Sequence, residues 1–296
     1  MNPHQILAAI ELAVYLVLFV PVSFCTYHYL SKKKQTAWIY LSVFVLAKII
    51  GPAMYISMAS HSKPSTGLQL GSQILYTIAL GPLLNATLSL VNASSKSKAK
   101  EPTPAYSYSP VDAPTPIPMA NPSSKDSNTS KRGSPDLSPL NIILLALHPI
   151  IMIGLVLGAV GGSKRSPDSS GHIDQDKYAK AITFSKASAA LFMVGLAGIA
   201  AGVALLWKSR RSFPTVNYYT TTWMAAVIPC LFLRVLYSVL TAASLDKNDP
   251  AKVSKFDVLR GSWVIYFFLG FLPQIFIVLV YAACGVLAWL KERRRA

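Results

Sequence analysis

The sequence predicts an all-α membrane protein, a bundle of seven transmembrane helices. Hydrophobic residues make up 52% of the 296-residue chain and charged residues only 14%, whereas about a quarter of a typical soluble domain is charged. The apolar residues form uninterrupted blocks of about 20 residues or more, the length that crosses a bilayer as a helix. Because the blocks are continuous rather than alternating, they indicate helices and not the strands of a barrel.

The blocks follow one another at 6–30, 37–59, 68–93, 140–161, 181–207, 218–243 and 263–290. They divide one membrane domain into helices one to three (1–93), a connecting segment (94–139), helices four to seven (140–290) and a basic tail (291–296). The first block is too long for the apolar core of a signal peptide, and no basic residues precede it. We therefore expect it to remain in the membrane as an anchor.

The first three blocks each carry a polar residue. These are Glu11 in the first block, Lys48 in the second, and Asn85 in the third, close to the Gly81-Pro82 pair. Proline lacks an amide hydrogen and disturbs a helix interior. Six of the seven blocks contain an internal proline, which favours kinked helices around a cavity; these are Pro21, Pro52, Pro82, Pro149, Pro229 and Pro273.

The last four blocks differ more from one another. The fourth has His148 directly before its proline, and the fifth has glycines in place of proline. Gly198 and Gly202 of the fifth block have GxxxG spacing, which lets a helix of the same bundle, or of a second copy in a homo-oligomer, approach closely. The sixth block contains Arg234 and Tyr237, and the seventh contains Gln274.

Basic residues in the connecting segments predict the orientation. The segments on the side of the C-terminus carry 16 Lys and Arg residues, against nine on the side of the N-terminus. Cytoplasmic loops hold the excess of Lys and Arg, so we expect the N-terminus outside and the C-terminus in the cytoplasm. The segment 94–139 is rich in Pro, Ser and Lys, which predicts a disordered cytoplasmic loop. Nothing in the sequence indicates which organelle holds the protein.

The net charge of +16 does not indicate a nucleic-acid partner. The basic residues flank the apolar blocks, as in LLWKSRR and WLKERRRA, which is typical of membrane borders. The three cysteines lie inside apolar blocks without metal-ligand spacing, where cysteine acts as a small apolar residue. We find no metal, phosphate-loop or haem motif, and the sequence predicts no cofactor.

Charges inside the blocks are the strongest functional signal. A charge near the middle of the bilayer costs about 3 kcal/mol on insertion scales, so such residues should face the bundle interior and have partners. At about 1.5 Å per residue, Glu11 lies in the same outer half as Arg234, while Lys48 lies near the middle. We therefore expect Glu11 to pair with Arg234 or with Lys48.

The candidate binding residues are the ionisable and polar side chains that helical spacing could bring together: Glu11, Lys48, Asn85, Arg234, Tyr237 and Gln274. Three interpretations stay open. The cluster holds helices together, it binds or conducts a ligand, or it is catalytic with Glu11 as a general acid.

Three stretches resemble segments of an uncharacterised family of fungal seven-span membrane proteins: AWIYLSVFVLAKIIGPAM, IALGPLLNATLSLV and IPCLFLRVLYSVL. The matching residues are Trp38, Ile39, Phe44, Gly51, Pro82, Leu83, Leu84, Arg234 and Tyr237. Lys48 stands where the family pattern has arginine. Lysine keeps the positive charge but lacks the planar guanidinium that binds a carboxylate with two hydrogen bonds. The resemblance implies seven spans and no activity. The chain is more distantly similar to fungal lipid-translocating exporters, in span number and basic tail.

The leading hypothesis is a non-enzymatic protein that binds or translocates a small amphiphilic or lipid-like molecule within the bundle. The alternative is an intramembrane cyclase or isomerase acting on a lipophilic, terpenoid-like substrate. The sequence does not decide between them. The bilayer is the predicted partner in both.

The orientation can be tested at the glycosylation sequon Asn128-Thr129-Ser130. A cytoplasmic loop is not glycosylated, so a glycosidase should leave the electrophoretic mobility of the protein from a eukaryotic host unchanged. Asp168→Asn creates a matched sequon in the segment 162–180, which is predicted to lie outside and should gain a glycan. A glycan on Asn128 would reverse the topology.

Overall fold

The structure is a computed structural model that describes residues 2–33, 35–60, 66–98, 139–165, 174–208, 217–245, 254–258 and 261–294. Within these ranges the chain forms nine α-helices and no strand. The helices are α1 (Pro3–Lys33), α2 (Ala37–Ser60), α3 (Thr66–Ile78), α4 (Leu80–Lys98), α5 (Pro139–Ser163), α6 (Gln175–Lys208), α7 (Asn217–Ala243), α8 (Trp263–Ile265) and α9 (Leu272–Arg293). A π-helical segment, Tyr266–Phe271, joins α8 to α9.

Seven helical stretches in the described residues are long and apolar enough to cross a membrane. The third consists of α3 and α4, and the seventh of α8, the π-helical segment and α9. This confirms the predicted fold class, and the protein is membrane-embedded. Most of the predicted disordered segment 94–139 lies outside the described residues, and its first five residues continue α4.

Helix α6 begins at Gln175, six residues before the apolar block predicted for it. Asp174 explains the earlier start, because its carboxylate Oδ1 accepts hydrogen bonds from the backbone amides of Lys177 (3.3 Å) and Asp176 (3.0 Å). This arrangement satisfies amides that have no partner inside the helix. The hydrogen bond from the Lys177 amide, with that from Asp176, lowers the pKa of the Asp174 carboxyl below its usual value.

Helix α4 is the central helix of the bundle. Every residue from 79 to 88 is buried, and 67% of the apolar window of the third span is buried, against at most 44% in the other six spans of the described chain. Helices α2, α5, α6 and α7 all pack against α4. Because protein rather than lipid surrounds this stretch, it can include the buried polar residues Asn85 and Thr87.

The six prolines of the predicted spans occupy three kinds of position in the helices. The third span breaks at Ala79, three residues before Pro82, whose missing amide hydrogen leaves the Ile78 carbonyl without its helical donor. Helices α1, α2, α5 and α7 continue through their prolines. Pro273 stands in the first turn of α9, directly after the π-helical segment, where its missing amide hydrogen removes one bond from a continuous helix.

The glycines of the GxxxG motif pack inside the bundle. A Cβ on Gly198 would lie 2.4 Å from Leu147 Cδ1, and one on Gly202 would lie 3.3 Å from Leu144 Cδ2. Both leucines belong to α5 of the same chain. The motif therefore brings α5 and α6 together, as one of the two predicted alternatives requires.

Gly285 of α9 brings the first, second and seventh spans into contact. A Cβ there would lie 2.4 Å from Trp38 Cη2 and 2.8 Å from Cys25 Sγ. The Trp38 ring is stacked on Tyr29 at 5.3 Å between centroids, and the Tyr29 hydroxyl donates to the Gly285 carbonyl at 2.8 Å. Because one face of the Trp38 ring stacks on Tyr29 and its outer edge lies against Gly285, the ring has little room to move.

Replacing Gly285 should therefore destabilise the bundle. We expect Gly285→Val to lower the free energy of unfolding by about 1–3 kcal/mol, the usual cost of overpacking a core. The measurement is the thermal unfolding midpoint of the purified protein in dodecyl maltoside. Ala283→Val, on the exposed face of the same helix, is the control and should leave the midpoint unchanged. Equal midpoints for the two variants would contradict this account.

Candidate functional site

A buried ion pair joins the first two spans. Lys48 Nζ lies 2.9 Å from Glu11 Oε1, and the two side chains are 1% and 0% exposed. This is one of the two pairings that the sequence predicts. Neither charge reaches water or lipid, so each depends on the other for compensation.

Two tyrosines complete the coordination of the Glu11 carboxylate. The Tyr266 hydroxyl lies 2.9 Å from Oε2 and 3.0 Å from Oε1, and the Tyr76 hydroxyl donates to Oε2 at 3.2 Å. Lys48 Nζ also donates to the Tyr266 hydroxyl at 3.3 Å and lies 4.8 Å from the centroid of the Tyr76 ring. We call Glu11, Lys48, Tyr76 and Tyr266 the Glu11 cluster. Within the described chain, the carboxylate thus has three donors from three separate spans, which stabilise its charged form.

The π-helical segment positions Tyr266. Tyr266 is the first residue of that segment, and its ring lies against its own backbone at Gly270, where a Cβ would be 2.6 Å from Tyr266 Cδ2. Only glycine leaves space for the ring there. The ring also contacts Tyr76 and Tyr237, at 5.9 and 6.0 Å between centroids. Single π-helical turns inside α-helices occur frequently at functional sites.

Arg234 of α7 does not pair with the carboxylate. Its guanidinium donates to Ser238 Oγ at 2.9 Å and to the Tyr76 carbonyl at 3.5 Å, while its Nε has no hydrogen-bond partner among the described residues. The Tyr76 carbonyl lies in the last turn of α3, where carbonyls lack helical donors and attract cations. The expected Glu11–Arg234 pair is therefore absent from the described structure. Arg234 is nonetheless only 3% exposed.

Arg234 lines a cavity of about 70 Å³ between α3, α5, α6 and α7, which we call the outer cavity. Its lining includes a second guanidinium, Arg165, and the ring of Tyr237. Five hydroxyl side chains also line it: Thr77, Ser185, Ser188, Ser238 and Thr241. Among the described residues around the cavity there is no carboxylate. The cavity therefore combines two positive charges and several hydroxyls with a wall that is mostly apolar.

Arg165 follows the C-terminal end of α5. It donates a hydrogen bond to Ser185 Oγ, and its Nε has no partner within the described residues. Burial lowers the pKa of the Arg165 guanidinium, and electrostatic interactions with Tyr178 and Asp257 partly offset that effect. The sequence does not single out Arg165, because one arginine in a loop of mixed charge carries no signal. Ser185 and Ser188 give a weak sequence signal, since their spacing puts both serines on one face of an apolar helix.

The segment 254–258 borders the cavity through Val258. The Phe256 carbonyl accepts hydrogen bonds from the Tyr237 hydroxyl (3.0 Å) and from Thr241 Oγ1 (3.1 Å). Nearby, the Gly261 carbonyl lies 3.0 Å from His4 Nε2. These bonds fasten the segment to the ends of α7 and α1.

The remaining candidates lie apart from this site. Asn85 Nδ2 contacts Met152 Sδ at 3.5 Å, and its Oδ1 has no partner in the described chain. Gln274 is fully buried with neither amide atom hydrogen-bonded to a described residue. His148 Nε2 lies 2.7 Å from the Tyr40 hydroxyl. No hydrogen bond or ion pair of the described residues joins Asn85 or Gln274 to the Glu11 cluster, so the six candidates do not form one network.

Comparison with known proteins gives one match. A family model described as Domain of unknown function (DUF7702) matches residues 1–111 and 125–292. The chain belongs to this DUF7702 family. No curated protein and no solved structure matches it. Family membership agrees with the resemblance to uncharacterised proteins, whereas fungal origin and similarity to lipid exporters stay predictions. The DUF7702 family brings no activity with it, so function is argued from the site alone.

Glu11→Gln should destabilise the protein by leaving the Lys48 charge uncompensated. We expect the free energy of unfolding to fall by about 3–5 kcal/mol, as when one partner of a buried ion pair is removed. The double variant Glu11→Gln/Lys48→Met removes both charges and should recover part of the loss. Thermal unfolding in dodecyl maltoside measures both, with Lys186→Gln on the exposed face of α6 as the control. A single variant as stable as the wild type would show that the pair is dispensable.

Proposed function

We propose that this protein binds a small amphiphile with an oxyanion headgroup, and that the outer cavity holds the headgroup. The observation that supports this most is the presence of two largely buried guanidiniums around one cavity whose described lining holds no carboxylate. Arg165 and Arg234 each have a buried Nε without a hydrogen-bond partner in the described chain. A ligand with a carboxylate, phosphate or sulfate group would supply the missing acceptors.

The donor chemistry fits an oxyanion. Guanidinium presents a planar fork of N–H donors that matches carboxylate and phosphate oxygens. The hydroxyls of Thr77, Ser188 and Thr241 around the same space donate their hydrogens to backbone carbonyls, so recognition of the anion falls to the two guanidiniums. Burying an arginine is costly, and Asp257 offsets only part of that cost at Arg165, so binding an anion would offset more of it.

The position of the cavity favours an amphiphile over a free inorganic anion. Arg234 lies nine residues before the end of α7, which is about 13 Å of helix at 1.5 Å per residue. The cavity wall also contains Ala189, Phe192 and Ala242. A ligand that carries a hydrocarbon part beside its anionic group would contact both the guanidiniums and this apolar wall.

The Glu11 cluster has a supporting role in this proposal. Lys48 and the two tyrosines bind the Glu11 carboxylate, and Arg234 binds Ser238 and the Tyr76 carbonyl instead. Tyr76 contributes to both places, since its hydroxyl binds Glu11 and its ring borders the cavity. The cluster therefore keeps a cation available for the ligand.

The other functional expectations stay predictions. An intramembrane cyclase or isomerase needs Glu11 in contact with its substrate, whereas Glu11 is fully buried and is not part of the outer cavity lining. Translocation of the amphiphile and a homo-oligomer through Gly198 and Gly202 are also untested. The packing of both glycines against α5 gives no support to the homo-oligomer.

Dodecyl phosphate binding in dodecyl maltoside tests the proposal, with calorimetry as the measurement. Arg234→Gln and Arg165→Gln should each weaken binding by about tenfold or more, because a hydrogen bond to a charged group contributes about 1.5–3 kcal/mol. Arg234→Lys keeps the charge and should retain part of the affinity. Lys186→Gln lies outside the cavity lining and is the matched control. Unchanged affinity in both folded arginine variants would refute the proposal.

A further inference from the structure

Helices α6 and α7 frame a second space in addition to the outer cavity. At one end of their contact they contribute Ser188 and Arg234 to the outer cavity. Towards the other end they frame a groove of about 920 Å³, which we call the inner groove. Its lining includes Ala200, Ala204, Trp207 and Lys208 of α6 and Ala225 and Ile228 of α7. The predicted orientation places this groove in the cytoplasmic leaflet.

The inner groove has the chemistry of an amphiphile site. Its wall is apolar, and three alanines leave the space open. Lys208, the last residue of α6, is exposed at its end, and the sequence continues with two arginines, Arg210 and Arg211. A hydrocarbon chain would fill the groove while an anionic headgroup lay beside Lys208. Basic residues at a membrane surface attract anionic lipids in this way.

The two spaces are separated by apolar packing. Leu196 and Ile199 of α6 and Leu231 of α7 are buried between them. Ile228 and Arg234, which border the groove and the cavity, are six residues apart on α7, or about 9 Å at the helical rise. The same pair of helices thus presents Arg234 at the outer cavity and Lys208 at the far end of the inner groove, with apolar packing between the two spaces.

We propose that the inner groove is a second binding site for an anionic amphiphile, an anionic lipid of the cytoplasmic leaflet with its chain against Ala225 and its headgroup at Lys208. The proposal for the inner groove rests on the proposed function, because both sites would bind an anionic amphiphile. It adds a separate site, formed by residues that do not line the outer cavity. The contact between α6 and α7 then holds two sites for one class of ligand.

Fluorescence quenching of Trp207, which is 43% exposed, tests the inner groove directly. The full chain is placed in phosphatidylcholine vesicles that contain either brominated phosphatidic acid or brominated phosphatidylcholine. The Trp207 signal is the difference between the wild type and Trp207→Phe. We expect the anionic lipid to quench it at a mole fraction lower by about fivefold, the effect of one basic residue near the surface.

Two variants and one control complete the design. Lys208→Gln should remove the preference for the anionic lipid, and Ala225→Phe should reduce quenching by both lipids by filling the groove. Ala201→Phe, exposed and outside the groove lining, should change neither. Equal quenching by the two lipids in the wild type would overturn the proposal and identify an ordinary lipid-facing surface. Dodecyl phosphate binding through Arg165 and Arg234 is measured separately, so failure at one site does not imply failure at the other.

Discussion

The ion pair between Glu11 and Lys48 is the interaction on which the arrangement of this bundle depends. In hydrocarbon, a charge without a counter-charge or a ring of donors is too costly to retain. Here one carboxylate receives an ammonium and two phenolic hydroxyls, and these come from α2, α3 and the π-helical segment. The first, second, third and seventh spans must therefore meet at this carboxylate, each helix rotated about its axis so that its polar side chain faces inward. The surrounding apolar side chains pack around that arrangement.

This arrangement also determines which cation remains for another partner. Lys48 is committed to the carboxylate, whereas Arg234 binds a hydroxyl and a backbone carbonyl, both of them neutral. Its carbonyl partner lies at the helix break that precedes Pro82. The last turn of α3 thus provides a backbone acceptor, the Tyr76 carbonyl, which holds Arg234 at the edge of the outer cavity. Glu11 pairs with Lys48 rather than with Arg234, so the Glu11 cluster is electrically balanced while the outer cavity keeps an excess of positive charge.

Much of the fold follows from the sequence because hydrocarbon imposes a simple rule on length and polarity. Seven apolar blocks predict the seven spans, and Glu11 and Lys48 can be recognised as partners because buried charges must find each other. The rest depends on features that leave little mark on the sequence. Tyr76 and Tyr266 resemble other membrane tyrosines until a π-helical turn directs one of them towards the carboxylate. Arg165 follows a helix in a loop, and its burial depends on how the other segments of the same chain fold around it. Helical spacing groups Asn85 and Gln274 with the cluster, but spacing does not reveal whether side chains on different helices form hydrogen bonds with each other.

The central place of α4 has a consequence for biogenesis. A helix that protein surrounds in the finished bundle does not need a lipid-compatible surface. Consistent with this, the apolar window of the third span has the lowest hydropathy among the spans of the described chain. During synthesis, however, it leaves the translocon before the four spans that follow it in the chain. It must then rest against the first two spans, or against insertion factors, until α5, α6 and α7 close around it. The order in which the chain is made thus leaves its most enclosed helix without most of its final neighbours until the last four spans are inserted.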